Sequence, residues 1–192
     1  MTTIYPTRAQ AFTLLQQYTK NESLIKHALA VEAVMRHFAQ RFGEDPEKWG
    51  IIGLVHDLDY EQFPTEHCVK VSEILKEQNW PEDYIRAIVS HGWQICSTVE
   101  PQEPMEKVLY TIDELTGLIT AAVLVRPDKN IFNLEVKSVR KKWKEKSFAA
   151  GVNREIIATG AKMLEMELPE VIAETIQGMQ KVAAELGLDG QK

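Results

Sequence analysis

The sequence predicts an all-α fold, and three observations carry that prediction. Apolar residues recur at three- and four-residue steps along nearly the whole chain. No alternating run long enough for a strand stands out. Helix-start signals precede the periodic runs, and Gly43, Gly92 and Pro127 close three of them.

The elements follow in order. Thr7 with Gln10 forms a capping-box pattern for a first helix to about Tyr18, with Ala11, Leu14 and Leu15 inward. Asn21 opens a longer helix to about Phe42, whose inner face runs through Leu24, Ala28, Val31, Val34, Met35 and Phe38. Asp45-Pro46 starts a third, which carries Trp49, Ile52 and Val55 and delivers His56-Asp57 at its end. Pro64-Thr65 is expected to begin the next, with Val71, Ile74 and Leu75 inward. Pro81 is expected to open a helix ending at His91-Gly92. Gln94 to Pro104 reads as a loop. A long apolar helix covers Met105 to Arg126, and Pro127 breaks it. A basic helix from about Leu134 to Lys146 and two amphipathic helices, Asn153–Glu167 and Pro169–Leu186, complete the pattern.

With 192 residues, the chain is expected to form one domain with one sizeable core. Apolar content of 44% and charged content of 26% fit a soluble globular protein. The net charge of −6 argues against bulk nucleic-acid or anionic-membrane binding. No apolar run is long enough to span a membrane. Cys68 and Cys96 make no CxxC pair and suggest no disulfide framework, and Cys68 is expected to be a small core residue. With no signal peptide apparent, the expected compartment is the cytoplasm.

Chemistry concentrates in six residues. The apolar run Ile51 to Val55 ends in His56-Asp57, and packing gives no reason for an imidazole and a carboxylate there. His27 lies on the same helix face as Val31, Val34 and Phe38. His67 precedes Val71, Ile74 and Leu75 at inward spacing, and His91 ends its helix. Asp113 sits inside an apolar helix, four residues from Leu109 and Gly117. One inward histidine is ordinarily a hydrogen-bonded core residue. Four of them with two inward aspartates form a network most simply explained by a metal ion. His37 is turned by about 80° from His27 around the helix and reads as surface. Asp59 and Glu61 read equally well as supporting groups of the site or as solvated loop acids.

On these residues the chain resembles the HD-domain superfamily of metal-dependent phosphohydrolases, a helical-bundle family named for its His-Asp pair. The resemblance covers about Asn21 to Thr116. The family's first histidine matches His27, its pair His56-Asp57 and its distal aspartate Asp113. His67 and His91 match members that hold two metals. The resemblance implies an HD-type bundle with its metal-site core at about 21–126 and additional C-terminal helices at about 127–188. It implies one or two divalent ions (iron, manganese, zinc, cobalt or nickel, with magnesium also compatible). It further implies catalytic roles for Asp57, His67 and His91 on a nucleotide or other small phosphorylated compound.

No GYP signature accompanies the pair, which argues against cyclic-di-GMP hydrolysis. Tyr60 stands where the deoxynucleotidase branch has an acid. The six-residue pattern is similar to that of dinucleoside tetraphosphate hydrolases and of di-iron oxygenases of the same fold. A non-catalytic metal- or nucleotide-binding module is a third reading. A phosphorylated substrate also calls for cations. Lys137, Lys141 and Arg154 are the candidates, the first two from a segment, Lys137–Lys146, with six positive residues and one negative. The alternative is a solvated basic face. Arg126 is a weaker candidate, and Trp93 reads as a base-stacking or loop-packing residue.

Overall fold

The computed structural model describes residues 5–190, and among them the only regular secondary structure is helical. The elements are α1 (Arg8–Tyr18), α2 (Glu22–Phe42), α3 (Pro46–Val55), α4 (Val69–Glu77), α5 (Glu82–Ser90) and α6 (Pro104–Leu124). A 3-10 turn (Ile131–Asn133), α7 (Val136–Lys144), α8 (Arg154–Met163), α9 (Leu168–Gln180) and α10 (Ala183–Leu186) follow. No helix among the described residues is long and apolar enough to cross a membrane.

Local chemistry sets most of the boundaries. Thr7 and Gln10 form the capping box of α1. The Asn21 side chain accepts from Ser23 N and Leu24 N at the start of α2, and Gly43, with φ 73°, ends it. Asp45 accepts from Glu47 N at the start of α3. Each of these ends was legible as a cap.

The two 21-residue helices, α2 and α6, are the centre of the bundle. α2 packs against α3, α6 and α9, while α6 packs against α2, α5, α7 and α8. Val31, Val34 and Phe38 of α2 meet Ile52 and Val55 of α3 and Val108, Leu109 and Ile112 of α6 in one core, all at 0% exposure. Each such side chain stabilises the fold by about 1.5–3 kcal/mol through removal from water. Every residue of α3 from Trp49 to Val55 is buried. Gly53 makes that possible, because a Cβ there would come within 3.2–3.3 Å of the α2 backbone at Val31 and Glu32. α3 therefore lies close on α2 and brings its end, His56, to the level of His27.

Three boundaries differ from expectation. No helix starts at Pro64-Thr65; the chain stays in turns through Cys68, whose φ is 69°, and α4 begins at Val69. Cys68 makes no side-chain cap, and the Asp59 carboxylate supplies it instead by accepting from Val71 N at 2.8 Å. A distant acceptor of this kind leaves no local sequence signature. Pro81 is the N-cap of α5 and lies outside the helix. The expected final helix is divided into α9 and α10, with Lys181 and Val182 between them.

The two cysteines also depart from expectation. Cys68 is buried, as expected of a small core residue, but it is joined to Cys96 in a disulfide across 28 residues, with Cα atoms 6.2 Å apart. The positive φ at Cys68 turns the chain toward the 92–97 turn, a relation invisible in sequence spacing.

Candidate metal centre

Five elements or their ends converge on one cluster. α2 places His27 and α6 places Asp113, both from mid-helix positions. His56 is the C-cap of α3, and Asp57 follows in a tight turn. His67 lies in the turns before α4, and His91 is the C-cap of α5. Helix ends suit this task, because their last carbonyls are free to orient a side chain.

The histidine rings are oriented by what their Nδ1 atoms meet. His56 Nδ1 donates to Gly53 O at 2.8 Å, and His91 Nδ1 donates to Ile88 O at 2.5 Å. His67 Nδ1 donates to Asp59 Oδ1 at 2.7 Å. His27 Nδ1 faces Thr116 Oγ1 at 3.4 Å, while that hydroxyl donates to Asp113 O at 2.8 Å. Acceptors at Nδ1 select the tautomer whose Nε2 lone pair is free, the usual support of a metal-ligating imidazole. All four Nε2 atoms point into the cluster.

There they form two groups. In the first, His27 Nε2 is 3.3 Å from His56 Nε2 and 2.9 Å from Asp113 Oδ1. Asp113 Oδ1 is also 3.3 Å from His56 Nε2. In the second, His67 Nε2 is 3.2 Å from His91 Nε2. Asp57 stands between them. Its Oδ2 lies 3.6 Å from His27 Nε2 and 3.4 Å from His56 Nε2. Its Oδ1 lies 3.5 Å from His67 Nε2 and 3.3 Å from His91 Nε2. Ligands bound at about 2.1 Å to one ion stand about 3.0 Å apart in an octahedron and about 3.4 Å apart in a tetrahedron. The observed spacings and the imidazole–carboxylate donor set fit a first-row transition metal. His27, His56, Asp57 and Asp113 offer donors within 4.8 Å of one another; Cys68 lies beside His67 and His91, but its sulfur is held in the disulfide.

The charges fit the same picture. Burial opposes protonation of His56, but Asp57 and Asp113 outweigh it and raise the imidazole well above its ordinary range. Burial likewise opposes the Asp57 and Asp113 carboxylates, yet the His56 charge and histidine hydrogen bonds hold both well below the usual range. Burial also works against His67, and its bond to Asp59 carries it upward. These are acids and bases that hold one another's charges where a cation would otherwise sit.

The remaining candidates fall elsewhere. Asp59 is fully buried and supports His67, so its reading as a solvated acid is overturned. Glu61 is exposed; its Oε2 accepts from Lys20 N and Asn21 N and anchors the start of α2. His37 is turned away from the cluster but is not at the surface, because Glu174 of α9 covers it and bonds its Nε2 at 2.7 Å. Trp93 packs on Tyr110, at 5.7 Å between ring centroids. Arg126 is paired with Asp128.

The three cations expected at a phosphate do not face the cluster. Arg154 donates to five backbone carbonyls, those of Trp143, Glu145, Phe148, Ala149 and Val152, which leaves its guanidinium holding the connection between α7 and α8. Lys137 is 80% exposed and paired with Glu135, and Lys141 is exposed on the same helix. Neither lysine lines the cavity over the cluster.

That cavity, of about 370 Å³, is lined by five of the six residues, His27, Asp57, His67, His91 and Asp113; His56 lies beneath at 0% exposure. Gly151 and Val152 also reach it. Sequence reasoning gave no role to Glu114, Ile95 or Ile156, which share the wall with Leu24, expected only on the inner face of its helix. Burial raises the Glu114 carboxyl, and its Oε2 accepts from Asn153 N at 3.0 Å.

Comparison with known proteins gives one match. No curated protein and no solved structure is similar enough to count. The family model of the HD domain matches residues 24–120, about half of the chain. The matched span begins one helical turn before His27, ends shortly after Asp113 and contains all six clustered residues. HD domains are typically metal-dependent phosphohydrolases, and on this match the chain belongs to the HD-domain family.

Proposed function

We propose that the chain is a metal-dependent phosphohydrolase acting on a small phosphorylated compound through a binuclear His/Asp centre. One observation carries the binuclear reading: the two oxygens of Asp57 face two different histidine pairs. His27, His56 and Asp113 would hold one ion with Asp57 Oδ2, and His67 and His91 the other with Asp57 Oδ1. Iron and manganese fit this donor set, as do zinc, cobalt and nickel. When bound, such ions supply a water deprotonated near neutral pH and offset charge on the phosphoryl oxygens.

The chain's own contribution is orientation. Gly53 O, Ile88 O and Asp59 hold three imidazoles with Nε2 inward. Asp57 sets the separation of the two groups. Were only one ion bound, His67 and His91 would remain as a proton-transfer pair beside it. The packing of α8 on α6 and of α9 on α2 supports reading 1–192 as one domain, with its metal-site core at about 21–126 and its helical extension at about 127–188.

The test is elemental analysis of protein purified with and without air, followed by phosphatase and oxygen-uptake screens. Two ions per chain with phosphoester hydrolysis is the expected result. A single ion that reconstitution does not raise would remove His67 and His91 from the ligand set. Metal-dependent oxygen uptake without hydrolysis would assign the centre to oxygenase chemistry. Stable phosphate binding with neither activity would leave a non-catalytic module.

A further inference from the structure

The wall of the cavity above the metal cluster has an unusual composition for a site that takes anions. Among the described residues that line it there is no lysine and no arginine. Of the cations next in sequence to lining residues, Lys26 is paired with Glu22 and Arg154 is committed to carbonyls, and the basic face of α7 points into solvent. Apart from the clustered residues, Glu114 and the phenol of Tyr60, what the wall presents is mostly apolar. Leu24 comes from α2, Ile95 from the 92–97 turn, Val152 from the connection before α8, and Ile156 from α8. Ile95 is 62% exposed and stands at the rim. Glu114 adds a carboxylate to the wall.

Charge balance narrows what can bind. Two divalent ions held by Asp57 and Asp113 keep two positive charges, the number carried with opposite sign by a phosphomonoester. A second or third phosphoryl group would lie in the cavity with no cation to meet it, beside Glu114, and desolvating such an anion is costly. The volume of about 370 Å³ is near the lower end for small-molecule sites.

We propose that the ligand of this cavity carries one phosphoryl group on a small, uncharged, largely apolar arm, and that polyphosphates and anionic arms are excluded. The substrate class rests on the phosphohydrolase reading; the arm preference rests on the wall alone. The two are separated by measuring binding and turnover independently.

Binding is read by calorimetry on manganese-loaded protein under nitrogen, with butylphosphonate and 4-phosphonobutyrate as non-hydrolysable probes of similar length. Butylphosphonate should bind about tenfold more tightly, the scale on which a pocket wall discriminates. Ile95→Lys at the exposed rim should close that gap by strengthening 4-phosphonobutyrate, and Val152→Lys provides the same test deeper in the wall. Equal or tighter binding of 4-phosphonobutyrate to the unaltered protein overturns the proposal, as does failure of both probes to bind. Turnover is read with an aryl phosphomonoester against a nucleoside triphosphate. Preference for the triphosphate overturns the arm assignment while leaving a phosphohydrolase. Butylphosphonate preference with no hydrolysis of either compound upholds the ligand class and removes the phosphohydrolase reading.

Discussion

Asp59→Asn separates the two halves of the metal centre. The Asp59 carboxylate is fully buried and serves two donors: Oδ1 accepts from His67 Nδ1 at 2.7 Å, and Oδ2 accepts from Val71 N at 2.8 Å. Asparagine has one acceptor and one donor in the same place. If its oxygen faces Val71, its NH2 group faces His67 Nδ1, which must then become the acceptor. The ring proton moves to Nε2, and the lone pair that points into the cluster is lost. If the oxygen faces His67, the NH2 group meets the N–H of Val71, and a buried donor pair at the start of α4 costs about 1–3 kcal/mol. Either outcome weakens the His67–His91 position and spares His27, His56 and Asp113. Loss of such a supporting carboxylate typically costs about 10- to 100-fold in metal affinity. Calorimetric titration with manganese should show the weaker phase shifted by that factor, the tighter phase unchanged, and helix content by circular dichroism retained. Two unchanged phases, or equal weakening of both in a folded protein, would refute the argument.

Other perturbations have equally definite outcomes. In the metal-free protein the raised His56 and His67 contribute stability that is complete below about pH 6.5 and fades as pH climbs through their raised values. The depressed Asp57 and Asp113 contribute stability above about pH 4 that is lost as pH falls through their lowered values. Tm measured in chelator should therefore fall as pH rises above about 6.5, and added divalent metal should reverse the slope, because ions displace those protons. Arg154→Ala leaves five carbonyls without their shared donor and should lower stability by about 1–3 kcal/mol in a urea titration, with metal stoichiometry unchanged. Gly160→Ala places a Cβ 2.0 Å from Thr111 Oγ1 and 3.0 Å from Thr111 Cα, where α8 crosses α6. It should cost about 1–3 kcal/mol by overpacking, and a variant as stable as the parent would contradict that contact.

The sequence was most readable where chemistry is local. Thr7, Asn21, Gly43 and Asp45 mark helix ends because their side chains, or the lack of one, act within a turn of their own position. His56-Asp57 could be singled out because a polar pair ends the apolar run Ile51–Val55. Long-range relations were not readable. Asp59 caps α4 from twelve residues away, so the start of that helix was misplaced at Pro64. The disulfide depends on a positive φ at Cys68 that no pattern announces. The basic run on α7 was legible as charge but not as direction, and Arg154 looked like an anion ligand because an N-terminal arginine does not reveal which carbonyls surround it.

The two groups around Asp57 are built from unlike materials. His27 and Asp113 stand in the middle of the two long central helices, and His56 lies beneath them with no exposure. His67 belongs to a run of turns, and His91 is the cap that follows a short helix. The Cys68–Cys96 link is the staple between those two segments. The centre thus has a permanent half and a conditional half, and the history of a sample acts on only one of them. Reductant would free the staple beside His67 and His91 alone, so metal content assayed with and without reductant should differ at that half of the centre and not at the half set in the long helices.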